Sequence, residues 1–448
     1  MDVINPATGE TVKRYDAHTP AQIDAAIEAA HRAHLGWRKV ALPERAARMK
    51  RAAQVLRARK DAYAELMAVE MGKLFKDGQG EVEKCAWCCE FYAEHAAAYL
   101  APEAVATDAS KSFISYQPLG VVLAVMPWNF PFWQVFRFAA PAPMAGNAGV
   151  LKHASNVPGS ALAIEAVFAE AGFPEGLFGT VLAESDQVAA MIRHPRVKAV
   201  TLTGSTGAGK AVARTAGEAL KKTVLELGGS DPYLILEDAD LEHAAATCAA
   251  SRLINAGQSC IAAKRFVVVE AVRERFEALF VERMAAQTLG DPMDPATTLG
   301  PQARRDLRDE LHGQVEASVA KGAKVLTGGR VPEGPGAFYP ATVLGGVRPG
   351  MPAYDDELFG PVASVIAAKD EADAVRIAND SVFGLGAAVF TRDLARGERI
   401  ATEALDAGSC FVNTLVKSDP RLPFGGVKES GYGRELSHFG MREFLNVK

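Results

Sequence analysis

At 448 residues, with 49% hydrophobic and 23% charged side chains, the chain exceeds one hydrophobic core and is too apolar to be disordered or fibrous, so two or more globular domains are expected. A formal net charge of -5 from 49 basic and 54 acidic residues, with no long basic run, leaves no electrostatic footprint for nucleic acid or an anionic membrane. The opening Met1-Asp2-Val3-Ile4-Asn5-Pro6 lacks the charged and apolar regions of a signal peptide, no apolar run reaches the roughly 18 residues of a spanning helix, and six cysteines are too few for a disulfide framework, so a reducing cytoplasm is the expected compartment.

The first hundred residues have helical patterning. Thr19-Pro20-Ala21-Gln22 reads as a capped helix start, and helical runs follow at about 43 to 75 and 79 to 100. The second run contains Cys85, Cys88 and Cys89. Their C-x-x-C-C spacing suggests half a metal site, but no second Cys/His cluster supplies the remaining ligands, so a buried helix face is expected and no metal. Ser112-Phe113-Ile114-Ser115-Tyr116 is a short β alternation ended by Pro118-Leu119-Gly120, which suits a hairpin excursion. From Val121 onward the order is apolar strand, turn, helix, repeated through Val121 to Met126, Gly149 to Leu151, Ala199 to Thr203 and Thr223 to Leu227. That alternation predicts a parallel, doubly wound α/β sheet. A second β/α series, from about 230 to 420, includes Arg265 to Val269, Ala388 to Phe390 and Cys410 to Asn413.

Three motifs carry chemistry. Gly204-Ser205-Thr206-Gly207-Ala208-Gly209 follows a predicted strand and opens a predicted helix, whose exposed amides attract phosphate. Its spacing is not G-x-G-x-x-G, and a plain tight turn explains it equally well. Leu225 to Asp231 places Glu226 at the end of an apolar run beside Gly228-Gly229, where burial should raise its pKa toward that of a general base; an ion-paired or helix-capping carboxylate is the bland alternative. Asn255-Ala256-Gly257-Gln258-Ser259-Cys260 presents a thiol among small residues, with Ala262-Ala263 behind it, so that backbone can approach a substrate and the Cys260 amide can help bind an oxyanion. A thiol nucleophile and a carboxylate that activates water suffice to make and hydrolyse a thioester. They lie 34 positions apart, so only tertiary structure can join them.

Pro127-Trp128-Asn129-Phe130-Pro131, Gly146 to Lys152, Thr203-Gly204-Ser205, Glu226-Leu227-Gly228-Gly229, Gly257-Gln258-Ser259-Cys260, Glu357-Leu358-Phe359-Gly360-Pro361 and Pro423-Phe424-Gly425-Gly426 occur in that order. Through them the chain resembles the aldehyde dehydrogenase family along essentially its whole length. The resemblance implies a Rossmann-type dinucleotide-binding domain from 1–103 and 120–228, an α/β catalytic domain from 229–427, and a small β oligomerisation arm from 104–119 and 428–448. It implies that Cys260 is the nucleophile, Asn129 an oxyanion donor and Glu226 the base that activates water. It also implies a nicotinamide dinucleotide held by Trp128, Asn129, Lys152, His153, Ala154, Ser155, Gly204, Ser205 and Leu227, with Glu357 on the nicotinamide ribose and Phe359 nearby. NAD-preferring relatives often carry Glu where this chain has Ser155. A serine beside Lys152 offers a donor and positive charge to a 2′-phosphate, so NADP is expected over NAD, with NAD as a second cofactor. Acylating relatives that pass the thioester to coenzyme A generally lack the Glu, and non-enzymatic relatives such as crystallins would be expected to have lost Cys260 or Asn129.

Arg137 stands in the aromatic stretch Phe132-Trp133-Gln134-Val135-Phe136-Arg137-Phe138, where many relatives acting on neutral aldehydes have Trp-Lys at the last two positions. A cation there is expected to clamp a substrate carboxylate, with an internal acid as its alternative partner. Trp133, Ser259 and Ser418 offer further groups for the distal end. With Lys417-Ser418-Asp419-Pro420-Arg421, these features are most similar to the short bacterial and cyanobacterial succinate-semialdehyde dehydrogenases of the family. Glutarate semialdehyde and simple aliphatic or aromatic aldehydes stay open as substrates. The sequence departs from the wider family in two places: His153 stands where Pro is common, and it ends at Asn446-Val447-Lys448, where a last strand adding to a partner's sheet is usual. An uncovered arm edge still favours a homodimer or homotetramer. The residue after the nucleophile is Ile261, so no adjacent thiol protects Cys260 from peroxide.

Overall fold

The computed structural model describes residues 1–448 and begins with an antiparallel pair, β1 (Asp2–Ile4) and β2 (Thr11–Arg14), too short to leave a readable alternation in the sequence. Helix α1 (Pro20–Trp37) starts at Thr19, whose hydroxyl accepts from the Gln22 amide while the Gln22 side chain accepts from the Thr19 amide. The expected run at 43 to 75 is two helices, α2 (Leu42–Ala58) and α3 (Lys60–Met71), the second ended by Gly72 at φ 75°, a left-handed value that glycine adopts without penalty. Helix α4 (Phe75–Tyr99) carries Cys85, Cys88 and Cys89 on its buried face, where burial pushes all three thiols up in pKa.

Two mainly parallel sheets follow. The first has strands β6 (Val121–Met126), β7 (Ala148–His153), β8 (Phe178–Thr180), β9 (Val197–Thr203) and β10 (Lys222–Glu226), all parallel. The second contains β11 (Pro232–Ile235), β12 (Arg265–Val269), β13 (Lys324–Thr327), β14 (Thr342–Gly345), β15 (Val362–Ala368), β17 (Gly386–Phe390) and β18 (Ser409–Val412), in the order β13-β14-β15-β12-β11-β17-β18 with only β13 antiparallel. Between β15 and β17, β16 (Phe383–Gly384) pairs with β19 (Val427–Lys428) outside both sheets. The central strands are buried on both faces, which is why they read as unbroken apolar runs. Each buried Val, Leu or Ile contributes about 1.5–3 kcal/mol relative to exposure.

The last twenty residues differ from expectation. Strand β20 (Gly431–Tyr432) joins the first sheet antiparallel beside β10, and the short helix Ser437–Arg442 packs on α4 through Ser437, whose carbonyl accepts from the Tyr92 hydroxyl. Strand β21 (Leu445–Val447) pairs antiparallel with β5 (Tyr116–Pro118) of the arm. A terminal strand is therefore present, contrary to the expected absence, and it covers an edge within the same chain. Upstream, β3 (Glu103–Ala104) and β4 (Phe113–Ile114) form the remainder of the arm. No helix is long and apolar enough to cross a membrane.

Candidate active site

The first sheet runs β20-β10-β9-β6-β7-β8, so the chain leaves β6 toward β7 and β8 on one side and returns to β9 and β10 on the other. In open α/β sheets such a reversal leaves a crevice at the carboxyl ends of the two central strands. Here the crevice is a cavity of about 280 Å³. It is lined by Pro127, Trp128 and Asn129 after β6, Thr203, Gly204 and Ser205 at the end of β9, Leu227 and Gly228 after β10, and, from the second half of the chain, Cys260, Glu357 and Phe359. Gln134 and the helix face Leu307, Glu310, Leu311 and Gln314 complete the wall.

The loop that presents Cys260 is held by over-determined backbone. After α10 (Leu241–Leu253), Asn255 and Ala256 both sit at φ 53° and Gly257 at φ 75°, three successive left-handed residues. For Ala256 this conformation costs roughly 1–2 kcal/mol. Fixed partners impose it: the buried Arg252 guanidinium donates to the Gly257 carbonyl at 2.5 Å, Gln302 donates to the Ala256 carbonyl at 3.2 Å, and the Gln258 side chain accepts from the Ala303 amide at 2.8 Å. A Cβ on Gly257 would lie 2.2 Å from the Gly360 carbonyl. Gly257→Ala is therefore expected to lower stability by about 2 kcal/mol or more and to cut activity by at least about tenfold; denaturant melts and initial rates on the purified variant check this.

Cys260 is half-buried, and burial pushes its thiol up to about 12, with Arg137 and Lys264 pulling against that rise. Lys264 is a residue the sequence reading missed. Its ammonium donates to the Ser259 and Cys260 carbonyls at 2.9 and 2.8 Å and pairs with Glu357 at 3.2 Å, tying the nucleophile loop to the loop that carries Phe359. Only its place after Ala262-Ala263 hinted at this. The Cys260 amide makes no hydrogen bond within the chain. Asn129 is buried, spends one amide hydrogen on the Gln258 carbonyl at 3.1 Å, and keeps the second. Two donors are thus free beside the thiol, as oxyanion binding requires.

Glu226 ends β10 with its carboxylate buried and both oxygens without a hydrogen-bond partner. Leu227 and Gly228, rather than Glu226, line the cavity. The carboxylate lies by Gly425, where a Cβ would come 2.7 Å from Oε1, and shares its surroundings with Glu435 and Arg137. Burial, with Glu435 adding to it, holds the Glu226 carboxyl well above the usual carboxylate range.

Arg137 departs from the expected role. On α5 (Trp133–Ala139) its guanidinium is buried, paired with Glu435 at 2.6 Å, donates to the Thr203 hydroxyl at 3.3 Å, and stacks 4.7 Å from the Phe424 ring centroid. The internal acid wins because an unpaired guanidinium buried this deeply would cost several kcal/mol. Glu435 lies in Arg434-Glu435 near the far end of the sequence, and no local pattern marks it as the partner.

Trp128, Asn129, Gly204, Ser205, Leu227, Glu357 and Phe359 line the cavity as the cofactor reading requires, and the Trp128 and Phe359 rings meet edge-on at 5.8 Å. Glu357 accepts from the Gly229 amide at 3.0 Å, which fixes its direction. The helix Thr206–Glu218 (α9) begins at Ser205, whose side chain accepts from the Ala208 amide at 3.3 Å. Lys152 and His153 close β7 outside the cavity lining, and Ala154 packs with Trp128 against Met71, Val157 and Ala303. His153 donates from Nε2 to the Pro131 carbonyl and accepts at Nδ1 from the Ala154 amide, both 2.9 Å, and burial lowers its pKa to about 4, so it is neutral. Lys152 is buried with neither a hydrogen bond nor an ion pair, and Ser155 is exposed three residues on. Ala154, between them, shares a small apolar cluster with Trp128 of the cavity wall, and a buried ammonium without a partner at this end of β7 fits a phosphorylated ribose.

At the distal end, Trp133 Nε1 donates to Ser418 Oγ at 3.0 Å, joining two residues expected together. Ser259 is buried, its carbonyl on Lys264. The same Ser418 oxygen accepts from Lys84 Nζ at 2.8 Å, a third member that helical patterning alone did not single out.

The model of the aldehyde dehydrogenase family matches residues 1–448. The chain belongs to this family. Among aldehyde dehydrogenases with curated descriptions, a probable NADP+-dependent succinate-semialdehyde dehydrogenase of Synechocystis sp. is 48% identical over 445 residues, covering 99% of this chain and 98% of that protein. An NADP+-dependent succinate-semialdehyde dehydrogenase of Mycobacterium tuberculosis is 50% identical over 448 residues, covering 99% and 98%. The crystal structure of the aldehyde dehydrogenase described as succinic semialdehyde dehydrogenase from Streptococcus pyogenes, in complex with NADP+, superposes with a TM-score of 0.97 at 40% identity, covering 100% of this chain and 98% of that one.

Proposed function

We propose that this protein oxidises succinic semialdehyde to succinate, with NADP preferred over NAD, through a thioester on Cys260 that Glu226 helps to hydrolyse. The observation that carries the reading is full-length identity of 48–50% to relatives that bear this activity and cofactor in their names. The site supports it: the thiol and the free oxyanion donors line one cavity, and the proton-hungry Glu226 carboxylate lies just behind its Leu227–Gly228 wall.

The Cys260 thiol gives up its proton to solvent, the thiolate adds to the aldehyde carbon, and the new oxyanion is met by the Asn129 side-chain amide and the Cys260 N–H. The nicotinamide dinucleotide, when bound, supplies the hydride acceptor that makes this adduct a thioester. Lys264 and Glu357 hold the two loops on either side of the thiol in register, so that Cys260 and the Glu357 carboxylate face the same space. Glu226 rotates from its resting place by Gly425 toward Cys260 and removes a proton from the attacking water; its unpartnered oxygens make that rotation free of broken hydrogen bonds. The thioester carbon gains hydroxide, the Cys260 sulfur leaves, and succinate is released.

The cofactor side rests on Lys152 and Ser155, with Gly204, Ser205 and the start of α9 for the phosphates. Ser155→Glu is expected to lower the catalytic efficiency with NADP by about 10- to 100-fold and to spare NAD, because a carboxylate repels a 2′-phosphate and accepts from a 2′-hydroxyl. Steady-state kinetics in both dinucleotides measure it. The reading as a whole is tested by initial rates of reduced-cofactor formation with succinic semialdehyde and butyraldehyde, each in NADP and NAD. Faster turnover of the acid in NADP supports it, and equal rates on both aldehydes reduce it to a general aldehyde dehydrogenase. In the same reading, residues 1–103 and 120–228 form the cofactor domain, 229–427 the catalytic domain, and the arm, with Phe113 and Val447 half exposed or more, assembles a homodimer or homotetramer in a reducing cytoplasm.

A further inference from the structure

We propose that Lys73 and Glu81, a buried ion pair away from the cavity lining, are positioning residues for the oxyanion donor: they hold the segment 129–133 so that the free amide hydrogen of Asn129 is aimed into the cavity that contains Cys260. This rests on the proposed role of Asn129 as an oxyanion donor.

Asn129 lies in the stretch 127–132 between β6 and α5, which belongs to no helix or strand. Pro127 and Pro131, within that stretch, have no amide to anchor it. On the side of the nucleophile, Asn255 donates to the Asn129 carbonyl at 2.7 Å and Asn129 donates to the Gln258 carbonyl at 3.1 Å. The other flank is anchored by Glu81 on α4. One Glu81 oxygen accepts from the Phe132 and Trp133 amides at 2.8 and 2.9 Å, two donors that the start of α5 leaves without a backbone partner. The other oxygen takes Lys73, whose ammonium also lies 3.8 Å from the Phe130 ring centroid. One carboxylate and one ammonium thus grip residues 130, 132 and 133, directly beyond Asn129.

Lys73 is itself placed by the second half of the chain. It follows Gly72, where a Cβ would lie 2.7 Å from Pro301 Cγ, and a Cβ on Gly300 would lie 2.5 Å from the Gly72 carbonyl oxygen. The next residue, Gln302, donates to the Ala256 carbonyl and so braces the thiol loop. The segment that carries the oxyanion donor and the loop that carries the thiol are therefore set against the same residues, 300–302, and the ion pair is the link on the oxyanion side.

Stability alone does not account for the pair. With side chains 1% and 2% exposed, desolvation of the two charges offsets most of their attraction, and apolar residues of similar size would hold the fold as well. Direction is what the charges add. Three donors converge on the two Glu81 oxygens and fix how Phe132 and Trp133 approach. An oxyanion donor needs such direction, because a misplacement of about 1 Å costs about 100-fold in rate.

The test is a mutant cycle on the full-length protein, read as the stopped-flow rate of the first burst of reduced cofactor with succinic semialdehyde and NADP. It combines Asn129→Ala with the paired variant Lys73→Met/Glu81→Met, in which apolar side chains of similar length replace both charges. Asn129→Ala is expected to slow the burst about 100-fold or more. The paired variant is expected to slow it about 10- to 100-fold with the KM for NADP changed by less than about twofold. Added to Asn129→Ala, the paired variant should cost less than about threefold further, because a donor already removed cannot be misaimed. An unslowed paired variant, or equal slowing with and without the Asn129 side chain, overturns the inference and leaves the role of Asn129 standing. A burst indifferent to Asn129→Ala overturns that role, and the inference with it. Should the paired variant be recovered unfolded, Glu81→Asp takes its place: the shorter carboxylate still neutralises Lys73 but cannot reach both amides. A loss confined to the Asn129 background then supports the positioning role, and an equal loss in both backgrounds overturns it.

Discussion

Cys260→Ala is expected to reduce aldehyde oxidation by at least about 10³-fold while leaving the protein folded. No other thiol can stand in. Cys85, Cys88, Cys89 and Cys248 are buried with their pKa values pushed up by burial, and Cys410 lies on β18, away from the cavity lining. Cys260 alone combines the cavity wall, a free backbone amide and the Asn129 donor. With its own thiol pushed up to about 12 in the absence of bound partners, the resting enzyme is mostly protonated at this position. Iodoacetamide labelling of Cys260, mapped by peptide mass spectrometry, should consequently rise with pH through the neutral and alkaline range, because only the thiolate attacks. Initial-rate assays and circular dichroism on the alanine variant check the first expectation. Residual turnover above about a tenth of wild type would remove the covalent step.

Glu226→Gln should lower kcat by about 10²- to 10⁴-fold while preserving a first burst of reduced cofactor, since the base is needed after the thioester has formed. The isosteric amide keeps the shape of the buried pocket by Gly425 and removes only the capacity to take a proton. The pH dependence has a definite sign. Burial and the nearby Glu435 raise the Glu226 pKa, so its base form is populated only as pH climbs through that raised value, and wild-type turnover should rise along the same limb. In the Gln variant the limb should vanish. Stopped-flow traces across pH, read for burst amplitude and steady-state slope, separate the steps; loss of burst and slope together would place Glu226 before hydride transfer.

Much of the architecture was legible because it is written in local periodicity. The unbroken apolar runs at Val121 to Met126 and Arg265 to Val269 coincide with β6 and β12, and the Thr19 capping box opens α1 as its spacing requires. The site was legible where glycine and small residues punctuate it, at Gly204-Ser205, Leu227-Gly228 and Gly257 to Cys260. Long-range pairing was not. Arg137 looked like a free cation because its partner, Glu435, comes from a distant segment that folds back beside β10. Lys84 and Lys264 carry no motif: the hydroxyl that engages Lys84 arrives from Ser418, and Lys264 works through backbone carbonyls. The terminal strand escaped notice because three residues pairing with β5 carry no signal before the arm is in place.

The central claim is a thioester on Cys260 that waits for Glu226. Its most direct test mixes Glu226→Gln with succinic semialdehyde and NADP, quenches in acid, and weighs the intact and digested protein. The account predicts a succinyl adduct confined to the Cys260 peptide, approaching one per chain and matched by one equivalent of reduced cofactor. Reduced cofactor formed without an adduct on any cysteine would contradict it.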